Sequence, residues 1–129
     1  MNKLDKESVI GISALLVHAA NIDEIYSNHE KDLIKNFIKS YLKDNDANKI
    51  LKQAEEIENN SNQLLNYTNI IKQNTLEIKK DIIYHLWQVI ISDNTVDQYE
   101  SNLMRRICGL IYFPDKECAE IKLKILKNK

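Results

Sequence analysis

Apolar residues return at intervals of three and four along almost the whole chain. Leu33, Ile34, Phe37, Ile38 and Tyr41 trace one stripe, and Leu103, Met104, Ile107, Cys108, Leu110 and Ile111 trace another. Each stripe is the width of one α-helix face, the part a helix turns toward a core. Two glycines and one proline leave little punctuation for a fold built of strands and tight turns. The periodicity predicts seven helices, at about 5–20, 27–42, 46–58, 62–73, 75–92, 97–112 and 115–127. Ser27 followed by Glu30 has the spacing of a capping box, and Asp97 followed by Glu100 a looser form of it. Asp46, Ser61, Asn74 and Asp115 are placed to cap the other helices, and Pro114 marks the break before the last one. The polar run from Glu55 to Asn62 is the best place for a flexible loop.

The pattern also repeats on a larger scale. Asp23, Tyr26 and Glu30 recur as Asp93, Val96 and Glu100, seventy positions on. In both copies an apolar helical stretch precedes the acid and another follows it. The first three and the last three predicted helices therefore read as two similar units. The segment 62–73 joins them and carries enough apolar surface, in Leu64, Leu65, Tyr67, Ile70 and Ile71, to pack. Neither unit can cover its own stripes, so the expected fold is all-α: one domain over 1–129, a bundle of about seven helices with an internal three-helix duplication.

Composition narrows the partners. A net charge of −1, with acids and bases mixed along the chain, offers no basic stripe, so nucleic acid is not expected. The two cysteines, Cys108 and Cys118, lack CxxC spacing and a set of histidine neighbours, so a structural zinc site is not expected either. Cys108 falls on an apolar face where a buried, reduced thiol belongs, and this favours the cytoplasm. The first residues contain acids and no long apolar core, unlike a signal peptide. The apolar stretches fall short of the ~20 residues that span a bilayer. Trp87 reads as a core anchor, His85 as a residue flanking the core, and Arg105 and Arg106 as a solvated face. The lysine-rich end, Lys122 to Lys129, reads as a final packed helix with cations at the negative end of its dipole.

With its repeat in view, the chain resembles the tellurite-resistance TerB-like family. The likeness is carried by Leu86-Trp87 before the second acidic turn, Asp93 within it, and Tyr99-Glu100 and Arg105-Arg106-Ile107 after it. The first copy, from Leu15 to Glu30, is a weaker match. Where that family has glycine after the aspartate, this chain has Glu24 and Asn94. Asn94 can adopt a left-handed turn at modest cost, whereas Glu24 cannot do so comfortably. The resemblance implies an all-helical, cytoplasmic or domain-attached module, related to the N-terminal domain of the membrane-anchored co-chaperone DjlA. It also implies an association with tellurite and other stress responses, and divalent-cation binding by the acidic loops.

Asp23, Glu30, Asp93 and Glu100 are accordingly the candidate metal ligands. Carboxylates at a loop and a helix start suit an oxygen-seeking cation such as Ca2+ or Mg2+. Each loop supplies few ligands, so a site shared between loops or a hydrated one is the form expected. The competing reading is structural: the two glutamates sit at the third helical position of a cap, and the aspartates favour the positive end of the following helix. No nucleophile elbow, HExxH, phosphate loop or dinucleotide fingerprint is present. The function expected is a non-enzymatic module that binds a partner protein, a divalent cation or both. The alternatives are a metal-assisted hydrolase with paired carboxylates, and a purely structural scaffold.

Overall fold

A computed structural model describes residues 4–21, 27–42, 46–60, 64–91 and 98–127, with side chains at all of these but 64–66 and 98–100. Among the described residues there are seven helices and no strand: α1 (Lys6–Ala20), α2 (Asn28–Tyr41), α3 (Ala47–Asn60), α4 (Leu64–Lys72), α5 (Leu76–Ile90), α6 (Gln98–Leu110) and α7 (Asp115–Lys127). Order and spans follow the periodicity. Among the described residues no helix is long and apolar enough to cross a membrane.

The architecture is set by α1. Every residue from Gly11 to Ala20 is buried except His18, so this helix is apolar nearly all round. Such a helix must be enclosed, and α2, α3, α4 and α5 all pack against it. They supply Ile34, Phe37 and Ile38 from α2, Ile50, Leu51 and Ala54 from α3, Ile71 from α4, and Ile82, Ile83 and Leu86 from α5. The approach of α4 is close: a Cβ on Gly11 would stand 2.5 Å from Ile70 Cδ1. The segment between the two units thus packs as a helix, as its apolar residues require. Leu103, Met104, Ile107, Cys108 and Ile111 of the second stripe are buried in the same continuous core. In the packing of the described residues the two units are not equivalent. Helices α1, α2 and α3 meet pairwise, whereas α6 lies on α4 and α7, and α7 on α5.

Helix ends follow local chemistry, with three departures from expectation. Asp5 caps α1, its Oδ1 accepting from the Ser8 amide at 2.7 Å, and Asp46 accepts from the Asn48 amide at 3.0 Å. Asn74 does not cap α5. Thr75 has the extended backbone a cap needs and accepts from the Ile78 amide at 3.3 Å. Asn74 instead closes α4, its Nδ2 donating to the Ile70 carbonyl at 2.7 Å. The polar run after Glu55 is not a loop as far as Asn60, because α3 continues to that residue. One cause is tertiary: Glu58 accepts from Asn21 Nδ2 at 3.2 Å and meets His18 Nδ1 at 3.4 Å, which ties the last turn of α3 to the end of α1. Ser61 and Asp97 lie outside the described residues. Asp115 does not cap α7 but is the first residue inside it; Pro114 holds the cap position, its carbonyl accepting from the Cys118 amide at 3.1 Å.

The end of α6 is a Schellman turn. The Phe113 amide reaches the Cys108 carbonyl at 2.9 Å and the Tyr112 amide reaches that of Gly109 at 3.4 Å. Tyr112 takes the left-handed position, at φ 59°, that glycine usually fills. Its exposed ring lies 4.8 Å from Lys72 Nζ, a cation–π contact that links the turn to the end of α4.

Ser13 lies fully buried in the middle of α1 with its hydroxyl unpartnered among the described residues. Burying a hydroxyl without a partner is unfavourable, so Ser13→Ala should leave stability unchanged or raise it by up to about 1 kcal/mol. Phe37→Ala in the same core should cost about 3–5 kcal/mol. Urea denaturation midpoints measure both, and a clear loss in Ser13→Ala would mean that the hydroxyl is bonded.

Candidate functional site

The first acidic turn leads into α2 through a complete capping box. Ser27 Oγ accepts from the Glu30 amide at 3.2 Å, and Glu30 Oε1 accepts from the Ser27 amide at 2.8 Å and the Ser27 hydroxyl at 3.1 Å. The Glu30 side chain is buried, only 5% exposed. The structural role expected of this glutamate is therefore realised. Asp23, Glu24, Asp93, Asn94 and Asp97 lie outside the described residues, and so does the side chain of Glu100, whose backbone belongs to the first turn of α6. Of the four candidate ligands only Glu30 can be placed in full. Among the described residues no group of three or more His, Cys, Asp or Glu is arranged to hold a metal ion.

A concave feature of the described residues lies elsewhere, between α2, α5 and α7. It is an open groove of about 1010 Å³. Its floor is one face of α5, where Glu77, Asp81, Tyr84 and Gln88 follow at helical spacing. Leu33 and Tyr41 of α2 form one wall, and Ile121, Lys124 and Ile125 of α7 form the other. Tyr41 meets Asp81 and Phe37 meets His85, so α2 runs antiparallel to α5. Lys80 pairs with Glu117 at 3.5 Å and Lys122 lies 5.4 Å from the Trp87 ring, so α7 runs parallel to α5.

A polar chain runs into the α2 wall. The Tyr41 hydroxyl donates to Asp81 Oδ2 at 2.6 Å, and Asp81 Oδ1 lies 3.5 Å from His85 Nε2, one helical turn on. The His85 ring is mostly buried and stands edge-on to both Phe37, at 5.1 Å, and Tyr84, at 5.5 Å. It flanks the core, as its sequence position suggested. Hydrogen bonding from His85, joined by that from Tyr41, holds the Asp81 carboxyl below the usual carboxylate range, against the opposing effect of burial. Burial and the adjacent Asp81 push the Tyr41 phenol well above its ordinary value. The phenol is thus a fixed donor and the carboxylate a fixed acceptor. Such a pair can orient a polar group of a ligand, and neither member is a nucleophile activated by its partner.

Under the α7 wall lies the thiol pair. Trp87 and Cys118 are buried in the core, with the indole Nε1 donating to Cys118 Sγ at 3.3 Å. The two thiols also interact: the hydrogen bond from Cys108, with that from Trp87, favours the Cys118 thiolate, while the same contact and burial push the Cys108 thiol up. Trp87 is the core anchor expected of it, and Arg105 and Arg106 are exposed.

Sequence reasoning missed the groove because no single segment contains it. The one local signal was in α5, where a face of Glu77, Asp81, Tyr84 and Gln88 is polar and aromatic while the opposite face of Ile78, Ile82, Ile83, Leu86 and Ile90 is apolar but for Lys79.

Comparison with family models returns one family, described as "Tellurite resistance protein TerB", matching residues 10–123. No curated protein and no solved structure matches the chain.

Two outcomes follow from the geometry. Ser27→Ala should lose about 1 kcal/mol of stability with the helical circular dichroism retained, since one cap of α2 is removed. Asp81 titrates at a lower pH in the folded chain than in the unfolded one, so its contribution is complete above about pH 4 and is lost as the pH falls through its folded value. Asp81→Asn should therefore be less stable than wild type at neutral pH, with the difference narrowing in acid. A parallel pair of stability–pH curves from urea titrations would disprove the role assigned to Asp81.

Proposed function

This chain belongs to the TerB family, and on that premise we propose that it is a non-enzymatic binding module of a bacterial stress response, cytoplasmic in setting, which receives a partner protein in the groove between α2, α5 and α7. The observation that carries this reading is the groove itself: about 1010 Å³ of concave surface with a half-exposed tyrosine, Tyr84, on its floor. Pockets that combine apolar walls with a few fixed polar groups are where recognition is concentrated. Among the described residues the other large exposed apolar side chains, Ile57, Leu76, Tyr112, Leu123 and Leu126, are distributed over α3, α5, α7 and the turn after α6. The concave site is therefore the better place for a specific contact.

The acidic turns supply the second part of the proposal, a divalent oxygen-seeking cation such as Ca2+ or Mg2+. Asp93 and Glu100 are its preferred ligands, because Glu30 has one oxygen engaged twice in its capping box. Asp23 and Glu30 are secondary. The same commitment of Glu30 weighs against a hydrolase, which would need both carboxylate pairs at one open cavity.

A photoreactive amino acid at position 88, in the groove, should cross-link a protein in cells, and one at position 49, on the far side of α3, should not. The captured protein, identified and purified, should bind wild type and lose about tenfold or more in affinity with Tyr84→Glu. An unchanged affinity rejects the groove as the docking site. For the cation, calorimetric titration of Ca2+ and Mg2+ should give heat in wild type that is lost in Asp93→Ala, and no heat at millimolar metal rejects that part.

A further inference from the structure

The groove is electrostatically divided along its length. At the end nearer the start of α5 lie Glu77 and Asp81, and Lys80 there is already paired with Glu117. The second oxygen of Glu117, Oε2, is buried with no donor among the described residues, which adds to the negative character of this end. The opposite end follows from the helix directions. Helix α7 runs with α5, so Lys124, seven residues beyond Glu117, stands near Gln88. Helix α2 runs against α5, so His29, eight residues before Phe37, lies at that same end. Between the two ends the lining is Tyr84 and Ile121, and Leu33 and Ile125 add apolar surface beside Lys124 at the far end. From Glu77 to Gln88 the floor extends roughly 16 Å, about three helical turns.

We infer that the occupant of this groove is an amphipathic α-helix of a partner protein, with an apolar stripe that covers Tyr84 and Ile121, a Lys or Arg at the Glu77–Asp81 end, and an Asp or Glu at the Lys124–His29 end. The inference rests on the partner-binding reading and adds the chemistry of the partner to it. A groove walled by two helices takes a third by the packing that builds helical bundles, with its anchors at helical spacing. The separated charges fix which segment is accepted and in which direction it lies, since placing like charges together is unfavourable. The polar chain Tyr41–Asp81–His85 holds the carboxylate that would meet the partner's Lys or Arg, so the acceptor is in position before the partner arrives.

The probe is a displayed library of amphipathic helices of about fourteen residues, with an apolar stripe and randomised ends. It is selected on the full chain and counter-selected on Tyr84→Glu. Enriched peptides should carry a base near one end and an acid near the other, about eleven positions apart. By fluorescence anisotropy, an enriched peptide should lose about tenfold in affinity for Lys124→Glu and regain it when its own acid is changed to lysine. Peptides that depend on Tyr84 but show no charge preference and ignore Lys124→Glu overturn the charge division while leaving the groove a docking site. If no peptide is selected against Tyr84→Glu, the helical partner is overturned, and the cross-linked protein still tests the groove separately. Self-association of wild type in sedimentation that Tyr84→Glu abolishes overturns the inference in favour of a second copy of this chain.

Discussion

The enclosure of α1 is the constraint on which the rest of the molecule depends. With every residue from Gly11 to Ala20 buried but His18, this part of the helix has almost no solvent face, and it is stable only when neighbours surround it. Four helices do so. Each gives its apolar stripe to α1 and keeps the other side for another purpose. In α5 that purpose is double: Ile82, Ile83 and Leu86 lie in the core, Trp87 holds Cys118 of α7, and the outer face of Glu77, Asp81, Tyr84 and Gln88 is left between α2 and α7. The groove is what remains when two helices flank a third whose outer face is too polar to be covered by them.

This origin accounts for the character of the groove. Its floor is the back of a core helix, and its polar groups are held by neighbours within hydrogen-bonding reach. Tyr41 reaches Asp81 from α2, and Gln88 Nε2 donates to the Tyr84 hydroxyl at 2.9 Å within α5. The acidic segments are placed differently in the chain. They connect helices, and at the one whose helix entry is described the glutamate serves the helix that follows. A duplicated acid-to-glutamate spacing is thus compatible with a helix-entry device.

How much could be read from the chain depended on the range of the interaction. Period, cap and core anchor are short-range properties, and the stripes of α2 and α6, the Ser27–Glu30 box and the burial of Trp87 were all visible as residue patterns. Asn74 and Thr75 show where that resolution ends: both can cap, and the choice depends on which one α4 uses to close its last turn. The extension of α3 to Asn60 is partly a tertiary effect, since Glu58 is held by residues about forty positions earlier. The groove was hidden for the same reason. Asp81 in isolation is an exposed helix acid; it becomes a fixed acceptor only when Tyr41, forty positions away, is brought beside it.

The contact between Trp87 and Cys118 has a consequence for observing the molecule. Trp87 is the single tryptophan of the chain, and its indole nitrogen lies 3.3 Å from a thiol sulfur. Sulfur at contact distance quenches excited indole by accepting an electron. The folded chain should therefore be dim in ultraviolet emission and brighten whenever α7 lifts from α5, even while its helices persist. The protein carries an internal optical gauge of how firmly its last helix is seated, and thus of whether one wall of the groove is in place.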